Sequence, residues 1–139
     1  MSEIVQRKKE KLGGLAEQIP TSLAVAQAAL ETGYGESYSA QKRKNHFGLR
    51  SGKRHLVFTS SQESVVTYLE TLSEKSYYKR VQNLLKKGET DPFKLLKVLA
   101  PIYAPQEDES YIAKISAVIR SCDLISLDVA SNGWIKNPC

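Results

Sequence analysis

The sequence predicts a predominantly α-helical α+β fold with one small β-hairpin set against the helices. Three observations carry this. Apolar residues recur at helical spacing through most of the chain, as in "SSQESVVTYLETL" and "DESYIAKISAVIRSC". One run, "LAVAQAAL" at 23–30, is apolar on nearly every face, which argues for the centre of a fold rather than its surface. Only around Ser51-Gly52 does a turn signal stand between short stretches suited to strands, "FGLR" and "HLVF".

Taken in order, residues 3–17 suit an N-terminal helix that ends near Gly13-Gly14 or just beyond. Pro20-Thr21-Ser22 is a start signal for a helix over about 22–32, closed by Gly33. Residues 38–46 are polar and irregular. After the hairpin, an amphipathic helix begins at "SSQES" with Val65, Val66, Leu69 and Leu72 inward. "YYKRVQNLLKK" makes a further helix stopped by Gly88. Asp91 is placed to cap the next helix, with Pro92 at its first position. A last helix places apolar residues at 112, 115, 119 and 122, and a tail runs from 126 to 139. There is no internal repeat and no linker. At 139 residues, 41% hydrophobic and 25% charged, the expectation is a single globular domain over 1–139.

Composition excludes several classes. No apolar run approaches the roughly 18 residues of a membrane span. "MSEIVQRKKEKLGG" lacks the apolar core of a secretory signal. The net charge of +5 favours anionic partners, nucleic acid and cell-wall polymer among them, but the basic residues are scattered over separate segments and read as solvated surface. Cys122 and Cys139 have no metal-ligand spacing, and His46 and His55 have no cysteine or carboxylate cluster around them, so no metal is expected. Neither a phosphate-cradling glycine loop nor a nucleophile elbow is present.

Glu31 is the sharpest residue. It closes an apolar helix, where the last carbonyls carry partial negative charge and desolvation disfavours ionisation, so both effects push its pKa up. A general acid needs such a raised pKa. Gln27, four residues back on the same helical face, is a candidate to orient the carboxyl. The alternative is a glutamate that points to solvent where the helix emerges. Glu63 is a second carboxylate of interest, since glycoside hydrolysis commonly employs a pair. Its spacing after Ser60 is equally that of a capping box. Tyr111 is placed either to hydrogen-bond a substrate or to sit in the core. Tyr34 and Phe47 suit stacking on a sugar face, or packing inside. "NHFG" adds Asn45 and Gly48 on a loop.

Together "PTSLAVAQAALETGYGES", "NHFGL" and "FTSSQESVVTYLETL" resemble the glucosaminidase domain of bacterial and phage peptidoglycan hydrolases, especially its Bax-like branch. The late segment "YIAKISAVIRSCDL" is similar to that family's final tyrosine-containing helix, and the resemblance covers about residues 19–125. It implies a bilobal, lysozyme-like fold with a cleft between the helices and a small β lobe. It also implies hydrolysis of the β-1,4 bond on the reducing side of N-acetylglucosamine. The catalytic glutamate falls on Glu31, the helix glutamine on Gln27, a second acidic residue on Glu63 and a cleft tyrosine on Tyr111; Tyr34, Asn45, Phe47 and Gly48 are expected on the substrate side. Tyr34 stands where the family has Trp and Thr32 where it has Ser, and the stretch after "NHFGL" is short, so a reduced β lobe is expected.

Two routes follow a proton transfer from Glu31. Glu63 acts as base for a water, giving inversion with carboxyls about 6.5–9.5 Å apart, or the substrate's N-acetyl oxygen attacks, steadied by Tyr111, giving retention. The expected partner is the peptidoglycan glycan strand, met at the cell envelope or outside the cell by a monomer. No cofactor, nucleic acid or stable membrane insertion is expected. A lytic transglycosylase shares the single glutamate, but no Gly-Leu-Met-Gln-like stretch follows it here. A non-catalytic glycan-binding or nucleic-acid-binding module is the third class, and nothing resembling a recognition motif for nucleic acid supports that form of it.

Overall fold

A computed structural model describes residues 1–33, 35 and 37–129. Among them the order is α1 (Ser2–Leu12), α2 (Gly14–Gln18), α3 (Thr21–Thr32), α4 (Tyr38–Gln41), β1 (Arg50–Ser51), β2 (Arg54–His55), α5 (Ser61–Glu74), a 3-10 turn (Ser76–Tyr78), α6 (Lys79–Lys86), α7 (Pro92–Tyr103), α8 (Asp108–Ser121) and α9 (Ser126–Val129). The fold is α+β and predominantly helical, as the patterning predicts.

The apolar α3 is the centre. Its residues 21–28 are all buried, and it packs on α1, α7, α8 and α9. Both of its ends are tied. At the N-terminus, where unsatisfied N–H groups carry partial positive charge, Asp128 of α9 accepts from the Ser22 N–H at 2.8 Å and from the Ser22 hydroxyl. Part of the expected C-terminal tail is thereby a structural member of the core, with Leu127 buried beside it. At the C-terminus Gly33 takes the left-handed conformation (φ 54°, ψ 49°) that ends a helix without a Cβ clash. Thr32 donates its hydroxyl to the Ala28 carbonyl at 2.6 Å and accepts the Gly35 N–H at 2.8 Å. One hydroxyl thus locks the turn that leaves the helix.

Other elements follow the sequence with local shifts. The N-terminal helix breaks at Gly13 and restarts as α2, because Gly13 adopts φ +64°. In α5, Val65, Leu69 and Leu72 are buried as expected. Val66 is only half-buried, and Tyr68, at the right spacing from Val65 and Leu72, takes the inward place. Asp91 accepts the Phe93 N–H at 2.9 Å and so caps α7. In α8, Ile115 and Ile119 are buried, joined by Tyr111 and Val118, and Cys122 is buried just past its end.

The hairpin is shorter than "HLVF" suggests. Arg50 pairs with His55 and Ser51 with Arg54, two residues on each side. Beyond it the Leu56 N–H still bonds the Leu49 carbonyl at 3.0 Å, but the Leu56 carbonyl turns to the Asn45 side chain, which ends the ladder. The β element among the described residues is this single two-stranded hairpin.

Candidate active site

A cleft of about 460 Å³ opens between the helices and the hairpin. Glu31, on the last turn of α3, faces it. One side is formed by Gly48, Leu49, Arg50 and Leu56 around the hairpin. Thr67 and Thr71 of α5 and Tyr77 and Tyr78 of the 3-10 turn line it further. Tyr103, Ala104, Pro105 and Glu107 come from the α7–α8 junction.

Glu31 is half-buried, and burial is the main reason its carboxyl is held above the usual range. The negative charge of Glu107 pushes the same way, and the Arg50 guanidinium opposes both. No hydrogen bond from a described residue to the carboxylate contributes. The side chain is therefore biased toward the protonated acid while remaining open to the cleft.

Gly48 explains how the carboxyl is held. A Cβ there would stand 2.6 Å from Glu31 Oε2 and 3.2 Å from its Cδ, so only a residue without one lets the loop lie against the acid. Gly48 also has φ +64°, a conformation L side chains resist. Asn45, fully buried, fixes this loop: its amide N–H₂ donates to the Leu49 carbonyl (2.8 Å) and the Leu56 carbonyl (3.1 Å), and its oxygen accepts the Leu49 N–H (3.0 Å). The Tyr103 hydroxyl donates to the Phe47 carbonyl and pins the same loop from α7.

Beneath the cleft runs a buried aromatic and polar network. Phe47 stacks on Tyr68 at 4.0 Å, Tyr68 meets Tyr103 edge-on at 6.5 Å, and Tyr103 stacks on Tyr111 at 5.8 Å. Gln27 joins it to α3: its N–H₂ donates to the Tyr111 hydroxyl at 2.9 Å and its oxygen accepts from the Tyr68 hydroxyl. Burial raises the pKa of Tyr68, Tyr103 and Tyr111, keeping all three as neutral phenols. The network joins α3, α5, α7, α8 and the loop at 45–49, so Glu31 is set on a rigid base.

Residues 11–124 match the Glucosaminidase family, described as mannosyl-glycoprotein endo-beta-N-acetylglucosaminidase. The chain belongs to the glucosaminidase family. No curated protein matches it, and no solved structure does. Membership makes it a glycosidase-type domain, and a helical body with a small hairpin beside a cleft is the lysozyme-like plan expected of it.

Within this glucosaminidase, the residues singled out from sequence fall into three groups. Glu31 and Gly48 meet in the cleft. Gln27, Asn45, Phe47 and Tyr111 lie beneath it: Gln27 spends both polar ends on tyrosines rather than on the Glu31 carboxyl, and Phe47, wholly buried, offers no face to a sugar. Tyr111 is buried and its ring stacks behind Tyr103, which is the tyrosine that lines the cleft. Glu63 is not among the residues lining the Glu31 cleft. Its carboxylate accepts from the Thr59 N–H at 3.2 Å and from the Thr59 hydroxyl, while its own N–H bonds Ser60 Oγ at 3.1 Å. That is the capping-box alternative, shifted one residue toward the N-terminus. Tyr34 lies outside the described residues, as does Cys139.

Arg50, Tyr77, Tyr103 and Glu107 are among the cleft residues that escaped the sequence reading. They share no local signal: Arg50 lies in β1, Tyr77 in the 3-10 turn, Tyr103 at the end of α7 and Glu107 at the N-cap of α8. A second cavity, of about 270 Å³, is lined by Met1, Ile4, Val25 and Ala28 among others, with no carboxylate among its described lining residues. No group of three metal-ligating side chains occurs among the described residues. No helix among them is long and apolar enough to cross a membrane.

Proposed function

We propose that this glucosaminidase is an endo-β-N-acetylglucosaminidase of peptidoglycan, acting at the cell envelope, with Glu31 as the general acid. The observation that supports it best is the setting of Glu31: an acid whose pKa burial raises, pressed against a side-chain-free loop residue, and open to a cleft of about 460 Å³. In the step proposed, the Glu31 proton passes to the glycosidic oxygen as the bond from that oxygen to the anomeric carbon breaks. Water then supplies the new hydroxyl at the anomeric carbon. The cut falls between N-acetylglucosamine and N-acetylmuramic acid. Tyr77, with 59% of its surface exposed at the cleft, offers a ring face for pyranose C–H groups. Arg50 supplies a cation suited to the acidic peptide stems of the polymer.

The test is digestion of purified peptidoglycan by wild type and Glu31→Gln, with the released fragments reduced and analysed by mass spectrometry. New reducing N-acetylglucosamine ends from wild type, absent with the variant, are the expected result. Anhydro-muramic ends would make the protein a lytic transglycosylase instead. No release by folded wild type would leave a glycan-binding module.

A further inference from the structure

The cleft holds a second carboxylate, and it is not Glu63. Glu107 lines the same 460 Å³ cleft as Glu31 but comes from a different element, the junction where α7 gives way to α8. We propose that Glu107 is the general base of the hydrolysis, taking a proton from the water that attacks the anomeric carbon. This rests on the reading of Glu31 as the acid.

The backbone at Glu107 is fixed on both sides. Its N–H bonds the Ala104 carbonyl at 3.1 Å, and its carbonyl accepts the Tyr111 N–H at 2.7 Å, which opens α8. The side chain, by contrast, is uncommitted. Glu107 occupies the N-cap position of α8, where a side-chain oxygen ordinarily accepts a first-turn N–H, yet its carboxylate makes no such bond. It forms no ion pair either among the described residues. Glu63 is the useful contrast, because its carboxylate is consumed by Thr59. A base must keep its lone pairs free for water and be reachable by solvent, and Glu107 is exposed.

The two carboxyls are also electrostatically coupled. After burial, Glu107 makes the next contribution to raising the Glu31 pKa, and it bears on Tyr111 as well. Two carboxyls in one cleft, one biased toward its protonated form by burial and the other exposed with no bond to its oxygens among the described residues, suit the division of labour that acid–base hydrolysis needs. The titratable and charged groups that interact electrostatically with Glu31 are Glu107, Arg50 and Tyr103 in the cleft and Tyr111 behind it. Those near Glu107 are Glu31, Tyr111 and its neighbours Asp108 and Glu109 in the first turn of α8.

The step balances without a co-reactant beyond water. Glu31 gives its proton to the leaving oxygen, and the bond from that oxygen to the anomeric carbon breaks. The water oxygen bonds to the anomeric carbon from the opposite face, and its proton goes to Glu107. Solvent exchange then restores both groups. Attack on the face opposite the leaving group turns a β-linkage into an α-configured product, and needs a carboxyl separation of about 6.5–9.5 Å to admit the water.

The experiment follows hydrolysis of soluble glycan strands by proton NMR, with wild type, Glu107→Gln and Glu107→Ala. Wild type is expected to form the α-anomer of reducing N-acetylglucosamine first. Glu107→Gln should keep its melting temperature and lose about 10²-fold or more in kcat with KM little changed. Its acidic limb of the pH–rate profile should vanish, and its basic limb should move to lower pH, because Glu31 loses a negative neighbour. Azide added to Glu107→Ala should restore turnover and yield the α-glycosyl azide. A β-anomer formed first, or full activity in folded Glu107→Gln, would overturn the assignment while leaving Glu31 in place. No new reducing ends from wild type would bring down the hydrolase reading itself, and this one with it.

Discussion

Gly48→Ala perturbs one contact whose geometry is known. The new Cβ would stand 2.6 Å from Glu31 Oε2, and ordinary contact begins at 3.4 Å, so the carboxyl must retreat by about 0.8 Å. The atom displaced is the far end of a flexible side chain, which makes the clash itself inexpensive in stability. The left-handed backbone is the larger stability cost, about 1–2 kcal/mol for a residue with a Cβ at φ +64°. At roughly 4 °C per kcal/mol for a domain of this size, the melting temperature should fall by about 4–8 °C. Activity should suffer more, because a displacement near 1 Å of a catalytic group costs on the order of 10²-fold in rate. Gly52→Ala separates the two effects. Gly52 has φ +62° but nothing within 4 Å of its would-be Cβ, so it carries the same backbone cost without touching Glu31. Thermal melts and kcat of both variants on soluble glycan make the comparison. The expected result is similar melting losses with activity lost only in Gly48→Ala. Wild-type kcat in folded Gly48→Ala would refute the claim that this loop residue sets the position of the acid.

Glu31→Gln should change stability with pH as well as abolish turnover. Because the folded protein holds the Glu31 proton above the ordinary pKa of 4.5, it keeps a proton the unfolded chain has released, and wild-type stability falls as pH rises through that window. Melting curves of both proteins should coincide below pH 4.5 and separate toward neutrality, with the variant the more stable; the opposite order would mean Glu31 is stabilised as an anion. Tyr111→Phe removes the acceptor of the buried Gln27 N–H₂, and denaturant titration should show a loss of about 1–3 kcal/mol. Glu63→Ala should cost about 0.5–1 kcal/mol through its helix cap while retaining near-wild-type kcat, and a loss of 10²-fold would return Glu63 to the chemistry.

How far the sequence carries is clearest at particular residues. Glu31 was legible because its anomaly is local: an acid at the end of an apolar helix is unusual by itself, whatever packs around it. The caps at Gly33, Ser60 and Asp91 were legible for the same reason, since each acts within four residues of itself. Gln27 was found, but its work was not. Its spacing from Glu31 suggested contact along one helix face, whereas its two bonds run to tyrosines on α5 and α8, 41 and 84 residues away in the chain. Asp128 lay in what reads as a tail, yet it caps α3 from 106 residues away.

Short-range chemistry was therefore fixed by the order of residues alone: helical periodicity, caps, the left-handed glycines, and the motif residues of a glucosaminidase. The reason is that backbone propensity and hydrogen bonding within a turn depend on near neighbours. Which aromatic rings lie inside, which tyrosine faces the cleft, and which second carboxylate shares it with Glu31 depend on how helices far apart in sequence meet. Phe47 and Tyr77 are both aromatic residues outside the α-helices, and only packing buries one and exposes the other. Glu63 and Glu107 are both glutamates at helix starts; tertiary structure ties the first to Thr59 and opens the second to the cleft.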